Sequence, residues 1–152
     1  TGIKPLTDEI GIFSFYRLDG VSRRVTTNFP ALAKWVDGCY ALEISDDGNW
    51  RWCKNRAVLL IVNPDERERN VRLEMSLATG SLRLSRMTIR GFINKVMTIN
   101  AGGVKIDDNI TITPGSHLLR LESKAAPVGA TNDPRWLVFR VVNFRVTDLG
   151  RN

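Results

Sequence analysis

Val71-Arg72-Leu73-Glu74-Met75-Ser76-Leu77 sets an apolar side chain on every odd position and a polar one on every even position. A period of two predicts a strand with one face buried and one wet, as antiparallel sheets require. The same style recurs outward from it at 82–86, 95–100, 109–113 and 116–122. Turn chemistry stands between these runs: Thr79-Gly80, Ala101-Gly102-Gly103, Asp107-Asp108-Asn109 and Pro114-Gly115. Upstream, Ala57-Val58-Leu59-Leu60-Ile61-Val62 is continuously apolar, as expected of a central strand covered on both faces, and Asn63-Pro64-Asp65 stops it. Residues 12–18 predict a first strand. Between 21 and 35 the signals are mixed: Asn28-Phe29-Pro30 breaks the run, and Ala31-Leu32-Ala33-Lys34-Trp35 has the composition of one helical turn. A loop with two prolines at 125–134 leads into 136–146, the last and longest strand. About nine or ten evenly spaced strands with almost no helix predict an all-β fold, two antiparallel sheets packed as a β-sandwich of jelly-roll type.

At 152 residues the chain has the size of one domain with a real core, and no repeat, linker or low-complexity segment divides it, so 1–152 reads as a single sandwich. It begins at Thr1 without a methionine, which is the expectation for a module excised from a larger protein. No apolar run reaches the ~18 residues of a membrane helix, so no membrane insertion by this segment is expected. The net charge of +6 favours polyanions as partners. Its charges are scattered along alternating strands, however, and Asp65-Glu66-Arg67-Glu68-Arg69 reads as a solvated loop, which speaks against nucleic acid.

The chain is poor in catalytic groups. His117 is the only histidine, and its place after Pro114-Gly115-Ser116 suits a hydrogen-bonding role at a strand edge. One histidine and two cysteines cannot assemble a zinc site of familiar spacing, so no metal is expected, and with no nucleophile elbow, phosphate loop or dinucleotide fingerprint no cofactor or catalytic residue is either. Asp46-Asp47 and Asp107-Asp108 read as turn residues.

The densest chemistry lies in Cys39-Tyr40-Ala41-Leu42-Glu43-Ile44-Ser45-Asp46-Asp47-Gly48-Asn49-Trp50-Arg51-Trp52-Cys53. A three-residue loop Asp46-Asp47-Gly48 would place Glu43 opposite Arg51 and Leu42 opposite Trp52. One face then carries Tyr40, Leu42, Ile44, Trp50 and Trp52, a core-like set; the other carries Cys39, Ala41, Glu43, Arg51 and Cys53 around a cross-strand ion pair. In this register the cysteines are diagonally offset by ~7–8 Å, so a disulfide would need a bulge or local twist, and two reduced thiols are the favoured expectation. Asn132-Asp133-Pro134-Arg135 makes a stiff turn into the last strand, with Asp133 capping it and Arg135 bridging. The same pair at a sandwich rim is a planar polar grip for hydroxyls or a carboxylate.

Three pieces taken in order, Gly38-Cys39-Tyr40-Ala41-Leu42-Glu43 with Trp50-Arg51-Trp52 and Ala57-Val58-Leu59-Leu60, then Ile112-Thr113-Pro114-Gly115-Ser116-His117 with Leu119 and Leu121, then Asp133-Pro134-Arg135-Trp136-Leu137-Val138-Phe139 with Val141, carry a resemblance. Over roughly residues 38–147 the chain resembles the accessory β-sandwich modules found beside membrane glycosyltransferases, sulfatase-like and related cell-envelope enzymes of bacteria. The resemblance implies a non-catalytic carbohydrate-binding module in the cell envelope. Its implied partners are a bacterial surface polysaccharide or oligosaccharide and a catalytic or transport domain of the same polypeptide or complex. Sugar recognition needs an aromatic on the ring's C–H face and planar polar groups for vicinal hydroxyls. The candidates are Trp35, Tyr40, Glu43, Arg51, Asp133 and Arg135, with Trp50 and Trp52 as alternatives. The surplus of arginine suits an acidic glycan. Two other readings stay open: a structural or protein-docking sandwich without a sugar site, and an envelope hydrolase or esterase with a carboxylate pair among Glu43, Asp133 and Glu122.

Overall fold

The computed structural model describes residues 4–5, 16–17 and 29–151. Its strands are β1 (Lys4–Pro5), β2 (Tyr16–Arg17), β3 (Leu32–Cys39), β4 (Glu43–Ser45), β5 (Gly48–Asn63), β6 (Arg69–Thr79), β7 (Ser85–Gly91), β8 (Lys95–Ile99), β9 (Val104–Ile112), β10 (Gly115–Ser123), β11 (Val128–Ala130), β12 (Asp133–Leu137) and β13 (Phe139–Arg151). β1 pairs with β2, and β11 with β12; the other nine form one hydrogen-bonded sheet that folds over on itself. Of the strand expected at 12–18 only Tyr16 and Arg17 are described, in β2; the rest of it lies outside the described residues.

The fold-over happens within β5. Its second half pairs with β10 from Arg56 to Asn63 and with β3 from Val58 to Val62, whereas its first half pairs with β13 from Trp50 to Cys53 and with β4 from Gly48 to Trp50. Lys54, Asn55 and Arg56, all exposed, make the crossing. One layer therefore runs β8-β7-β10-β5-β3 and the other β4-β5-β13-β6-β9. With the halves of β5 counted as the first two strands and β6, β7, β8, β9, β10 and β13 following, the layers read second-seventh-fourth-fifth and first-eighth-third-sixth. That is jelly-roll order. All the pairings are antiparallel, and the all-β sandwich expected from the alternation is the fold.

The core lies between the layers. Leu59, Ile61, Met87, Ile89, Leu119 and Leu121 descend from one side, and Val71, Leu73, Met75, Leu77, Phe139 and Val141 rise from the other, each at 2% exposure or less. The alternation at 71–77 is thus realised residue by residue. In the apolar run 57–62 only the odd residues are sealed; Val58, Leu60 and Val62, on the face turned away from the core, are half-buried.

Three local expectations are corrected. Ala31 to Trp35 forms no helical turn: Leu32 to Trp35 runs opposite Leu59 to Val62, and that ladder overrides the local helical composition. The strand expected at 82–86 begins at Ser85, with Leu82 and Leu84 standing 82% and 65% exposed in the preceding loop. Asp107-Asp108-Asn109 is no turn but the middle of β9, where Asp107 meets Arg72 at 2.7 Å and Asp108 meets Lys95 at 2.8 Å. Cross-strand cations give these aspartates a place in a strand that their own propensity disfavours.

Candidate functional site

The hairpin closes with two loop residues rather than three. Ser45 pairs with Gly48, Ile44 with Asn49 and Glu43 with Trp50. Ser45 Oγ accepts the Asp47 N–H at 3.2 Å, which tightens the turn and takes Gly48 into the ladder. The Glu43–Arg51 pair expected from the longer loop is therefore not formed. Nor do the tryptophans go to the core: Leu42 and Ile44 are 45% and 76% exposed, and Trp50 and Trp52 are half-buried on the outer surface of the β4-β5-β13-β6-β9 layer. Cys53, opposite Phe139, points inward with no exposure. Arg51 has the same parity as Cys53 and pairs with Val141, and its Nη1 donates to the Tyr40 carbonyl at 3.1 Å from behind the aromatic face.

The cysteines are also corrected. Cys39 lies directly across from Cys53, Cα–Cα 4.0 Å, and the two form a disulfide. What brings them together is an irregularity at Gly38. β3 pairs Asp37 with Val58 and then Cys39 with Cys53, skipping the crossing residues of β5. Gly38 adopts φ +79°, and a Cβ there would lie 1.9 Å from the Arg56 carbonyl oxygen, so only glycine lets β3 follow the bend.

Cross-strand partners share a face, so the outer surface resolves into rows. Arg140 lies between Trp52 and Ala78, and Tyr40 joins this row by donating its N–H to the Trp52 carbonyl at 2.8 Å. The next row is Glu43, Trp50, Val142, Ser76, Lys105. The Arg140 guanidinium sits 5.2 Å from the Trp52 ring centre. A groove of about 420 Å³ follows these rows, with Trp50, Arg140, Val142, Ser76, Asn49 and Asp47 among its walls.

At one end of the rows stands a rim. Arg135 grips Asp133 with Nε at 3.0 and 3.1 Å and Nη2 at 2.8 Å, and its Nη1 reaches Glu43 Oε1 at 2.6 Å. The guanidinium lies 5.5 Å from the Tyr40 ring centre, and the Tyr40 hydroxyl accepts the Trp136 N–H at 2.9 Å. The Arg135 hydrogen bonds hold the Asp133 carboxyl below its ordinary range, with the backbone N–H of Arg135 adding to them. A carboxyl so held makes a poor general acid, which needs its pKa raised toward the working pH. Glu122 is apart from this cluster on β10, bonded to Lys124 at 2.6 Å and paired to Arg56, and Lys124 chiefly holds its carboxyl low as well. A ring nitrogen of His117 donates to the Thr113 carbonyl at 2.8 Å across the turn before β10, a hydrogen-bonding role at the strand's start. Among the described residues no group of three or more His, Cys, Asp or Glu is placed to hold a metal ion.

Of the sequence candidates, Tyr40, Glu43, Asp133 and Arg135 are brought into one cluster, Arg51 braces it from behind, and Trp50 and Trp52 lie beside it on the same surface. Trp35 is elsewhere: it packs against the core with its ring 5.4 Å from Phe144 at 67°, edge to face. Arg140 and Trp136 were missed. Arg140 carried one legible signal, a cation set within the apolar run Leu137-Val138-Phe139 and Val141-Val142.

No protein-family model matches the chain, and no curated protein matches it. Solved structures similar to it include the C-terminal CBM6 of the laminarinase LamC from Zobellia galactanivorans, at 10% identity over 77% of this chain and 98% of that one, TM-score 0.41. A Xyl-CBM35 in complex with a glucuronic acid containing disaccharide is similar at 10% identity over 82% of this chain and 95% of that one, TM-score 0.44. The CBM35 of Cellvibrio japonicus Abf62 is similar at 15% identity over 80% and 99%, TM-score 0.36. At these scores no residue role passes from them to this chain.

Proposed function

We propose that the chain is a non-catalytic carbohydrate-binding module that holds bacterial surface polysaccharide on the outer face of the β4-β5-β13-β6-β9 layer, for an envelope enzyme or transporter of the same polypeptide or complex. The observation that carries this reading is the outward placement of Trp50 and Trp52, two residues apart on one strand, beside a groove whose walls mix apolar surface with Asp47, Asn49, Ser76 and Arg140. A core would seal such rings; a surface that keeps them half-exposed offers apolar faces to a sugar ring. Glu43, Arg140 and Ser76 stand in the same rows and offer acceptors and donors for hydroxyls. The Cys39–Cys53 disulfide supports a place on the oxidising side of the envelope membrane, since such bonds do not persist in reducing compartments.

The test is affinity for a panel of bacterial surface polysaccharides, measured by calorimetry or retardation in polymer-containing gels. Trp50→Ala and Trp52→Ala are each expected to weaken binding about tenfold or more while leaving the circular dichroism unchanged. A folded wild-type chain that binds no polysaccharide in the panel overturns the reading.

A further inference from the structure

Resting on that reading, we infer that the sugar face continues past Trp50 into a second, cationic subsite at Arg145 and Lys105, and that the ligand is a run of several units of a linear anionic polysaccharide. The placement of Arg145 depends on an irregularity in β13. Val142 pairs with Ser76 but Arg145 pairs with Glu74, so Asn143 and Phe144 together oppose a single residue. Asn143 takes φ +49°, in the left-handed region that non-glycine residues seldom enter. The extra residue reverses the alternation. Before it the outer residues are Arg140 and Val142; after it they are Arg145 and Thr147, while Phe144 turns in to meet Trp35. In an unbroken ladder Arg145 would face the core. Bulges re-aim side chains in this way and are frequent beside binding sites.

The bulge is tied to the hairpin that presents Trp50. Asn143 Oδ1 accepts the Asn49 N–H at 3.1 Å, and Gly48 lets it approach, since a Cβ there would lie 2.7 Å from that oxygen. Beyond the bulge lies a second groove of about 240 Å³, lined by Glu74, Ser76, Lys105, Asn143 and Arg145. Ser76 also lines the first groove, so the two share a wall. Three successive rows, led by Trp52, Trp50 and Arg145, then span about 14 Å at ~3.4 Å per residue, more than one sugar ring covers.

The charges of this path point to an anion. Among the described residues neither Arg140 nor Arg145 forms an ion pair, and the buried Nε of Arg140 has no hydrogen-bond partner. Lys105 reaches Asp107 at 3.3 Å with most of its side chain exposed, and of the acidic residues in the walls Glu74 is already met by Arg72 at 3.5 Å. A guanidinium without a carboxylate of its own is a ready partner for a planar or tetrahedral anion. A uronate carboxylate and a sulfate ester share that chemistry.

The experiment measures binding of a polyuronate, a sulfated glycan and a neutral glucan, each as a length series, at low and high salt. The proteins are wild type, Lys105→Ala/Arg145→Ala, Trp50→Ala and a control, Arg90→Ala/Arg120→Ala, which removes the same charge from exposed residues of the other layer. Circular dichroism and thermal melting verify the fold of each. At least one anionic polymer is expected to bind more tightly than the neutral one, with affinity rising with length; which of the two does so identifies the anion. Lys105→Ala/Arg145→Ala is expected to weaken that binding about tenfold or more and flatten its salt dependence, leaving neutral binding unchanged. Equal weakening by the control pair overturns the subsite in favour of net charge. Loss of binding in Trp50→Ala with no change in Lys105→Ala/Arg145→Ala overturns the subsite and leaves the sugar face standing. No binding of any polymer by wild type overturns both.

Discussion

Two clusters in this molecule are built alike, a guanidinium held between two carboxylates, and differ in their access to water. Arg69 reaches Asp65 at 3.1 Å and Asp148 at 2.8 Å with its side chain 3% exposed; Arg135 reaches Asp133 at 2.8 Å and Glu43 at 2.6 Å with its side chain 32% exposed. The two carboxylates on Arg69 are themselves bonded back into the fold. Asp148 accepts the N–H of Ala31 at 2.9 Å and of Gly150 at 2.8 Å, and Asp65 meets Arg151 at 2.5 Å, so the cluster joins the start of β3, the β5–β6 turn and the end of β13. Around Arg135 the further contacts are the Tyr40 ring and, through its hydroxyl, Trp136, which is 56% exposed. The same three groups thus make a brace where water is excluded and a presentable surface where it is not. Residue type does not separate the two; burial does.

The comparison is tested hardest by removing one partner from each cluster. Asp148→Ala leaves the sealed Arg69 without one of its carboxylates, and breaking a buried pair costs about 3–5 kcal/mol. Since Asp148 keeps 18% exposure, the expected loss is toward the lower end, about 3 kcal/mol in denaturant unfolding. Arg135→Ala, with solvent to rehydrate Asp133 and Glu43, is expected to shift the unfolding midpoint far less. Equal shifts would make the rim a second brace.

Acid separates the clusters next. Burial pushes the Asp148 carboxyl up, but the N–H groups of Ala31 and Gly150 and the charge of Arg69 outweigh it and hold the group below its ordinary 3.8. At Asp65 burial likewise acts upward and is outweighed, first by Arg151 and then by the backbone N–H groups of Glu66 and Arg67. A carboxyl depressed in the folded state stabilises the fold above its unfolded pKa, and that contribution is lost as pH falls through the folded one. Thermal melting of wild type is therefore expected to decline steeply between about pH 4 and pH 2, and Asp148→Ala to decline less over the same range. Arg135→Ala frees the Asp133 carboxyl from the hydrogen bonds that depress it and should also flatten the decline, but by less than Asp148→Ala because water screens the rim; a slope as flat as that of Asp148→Ala contradicts the contrast.

How much of this was legible in the sequence follows from the range of each signal. Alternation is local, and at 71–77 it located the buried face residue by residue. Register in the hairpin turned on one loop residue: Gly48 reads equally as the third residue of a turn or the first of a strand, and in the structure it pairs with Ser45. That single step exchanged the faces of Trp50 and Trp52, while the disulfide was hidden by the separate irregularity at Gly38. The bulge at Asn143 was invisible because nothing around 142–145 departs from a strand pattern, yet it sets which way Arg145 points. Tyr40, Glu43, Asp133 and Arg135 were found without their grouping, since the Glu43–Arg135 contact spans 92 residues. Arg69 read as part of a solvated loop because the sequence around it is uniformly charged; its burial depends on Asp148, equally remote.

The smallest expected effect is the most discriminating. Arg135 uses the full planar fork, with Nε and Nη2 on Asp133 and Nη1 on Glu43, and a lysine ammonium cannot reproduce that geometry although it keeps the charge. Arg69 likewise divides two nitrogens between two carboxylates. If burial separates the clusters, the conservative change should have opposite readouts in them. Arg69→Lys should lower the melting temperature, because a sealed site cannot recruit water for the bonds it loses. Arg135→Lys should leave melting within error of wild type while lowering glycan affinity up to about tenfold, because the fork sets where Glu43 and the Tyr40 ring stand. A fall in melting temperature at Arg135→Lys matching that at Arg69→Lys, with affinity untouched, would return the rim to structure and leave the tryptophan rows as the whole of the binding face.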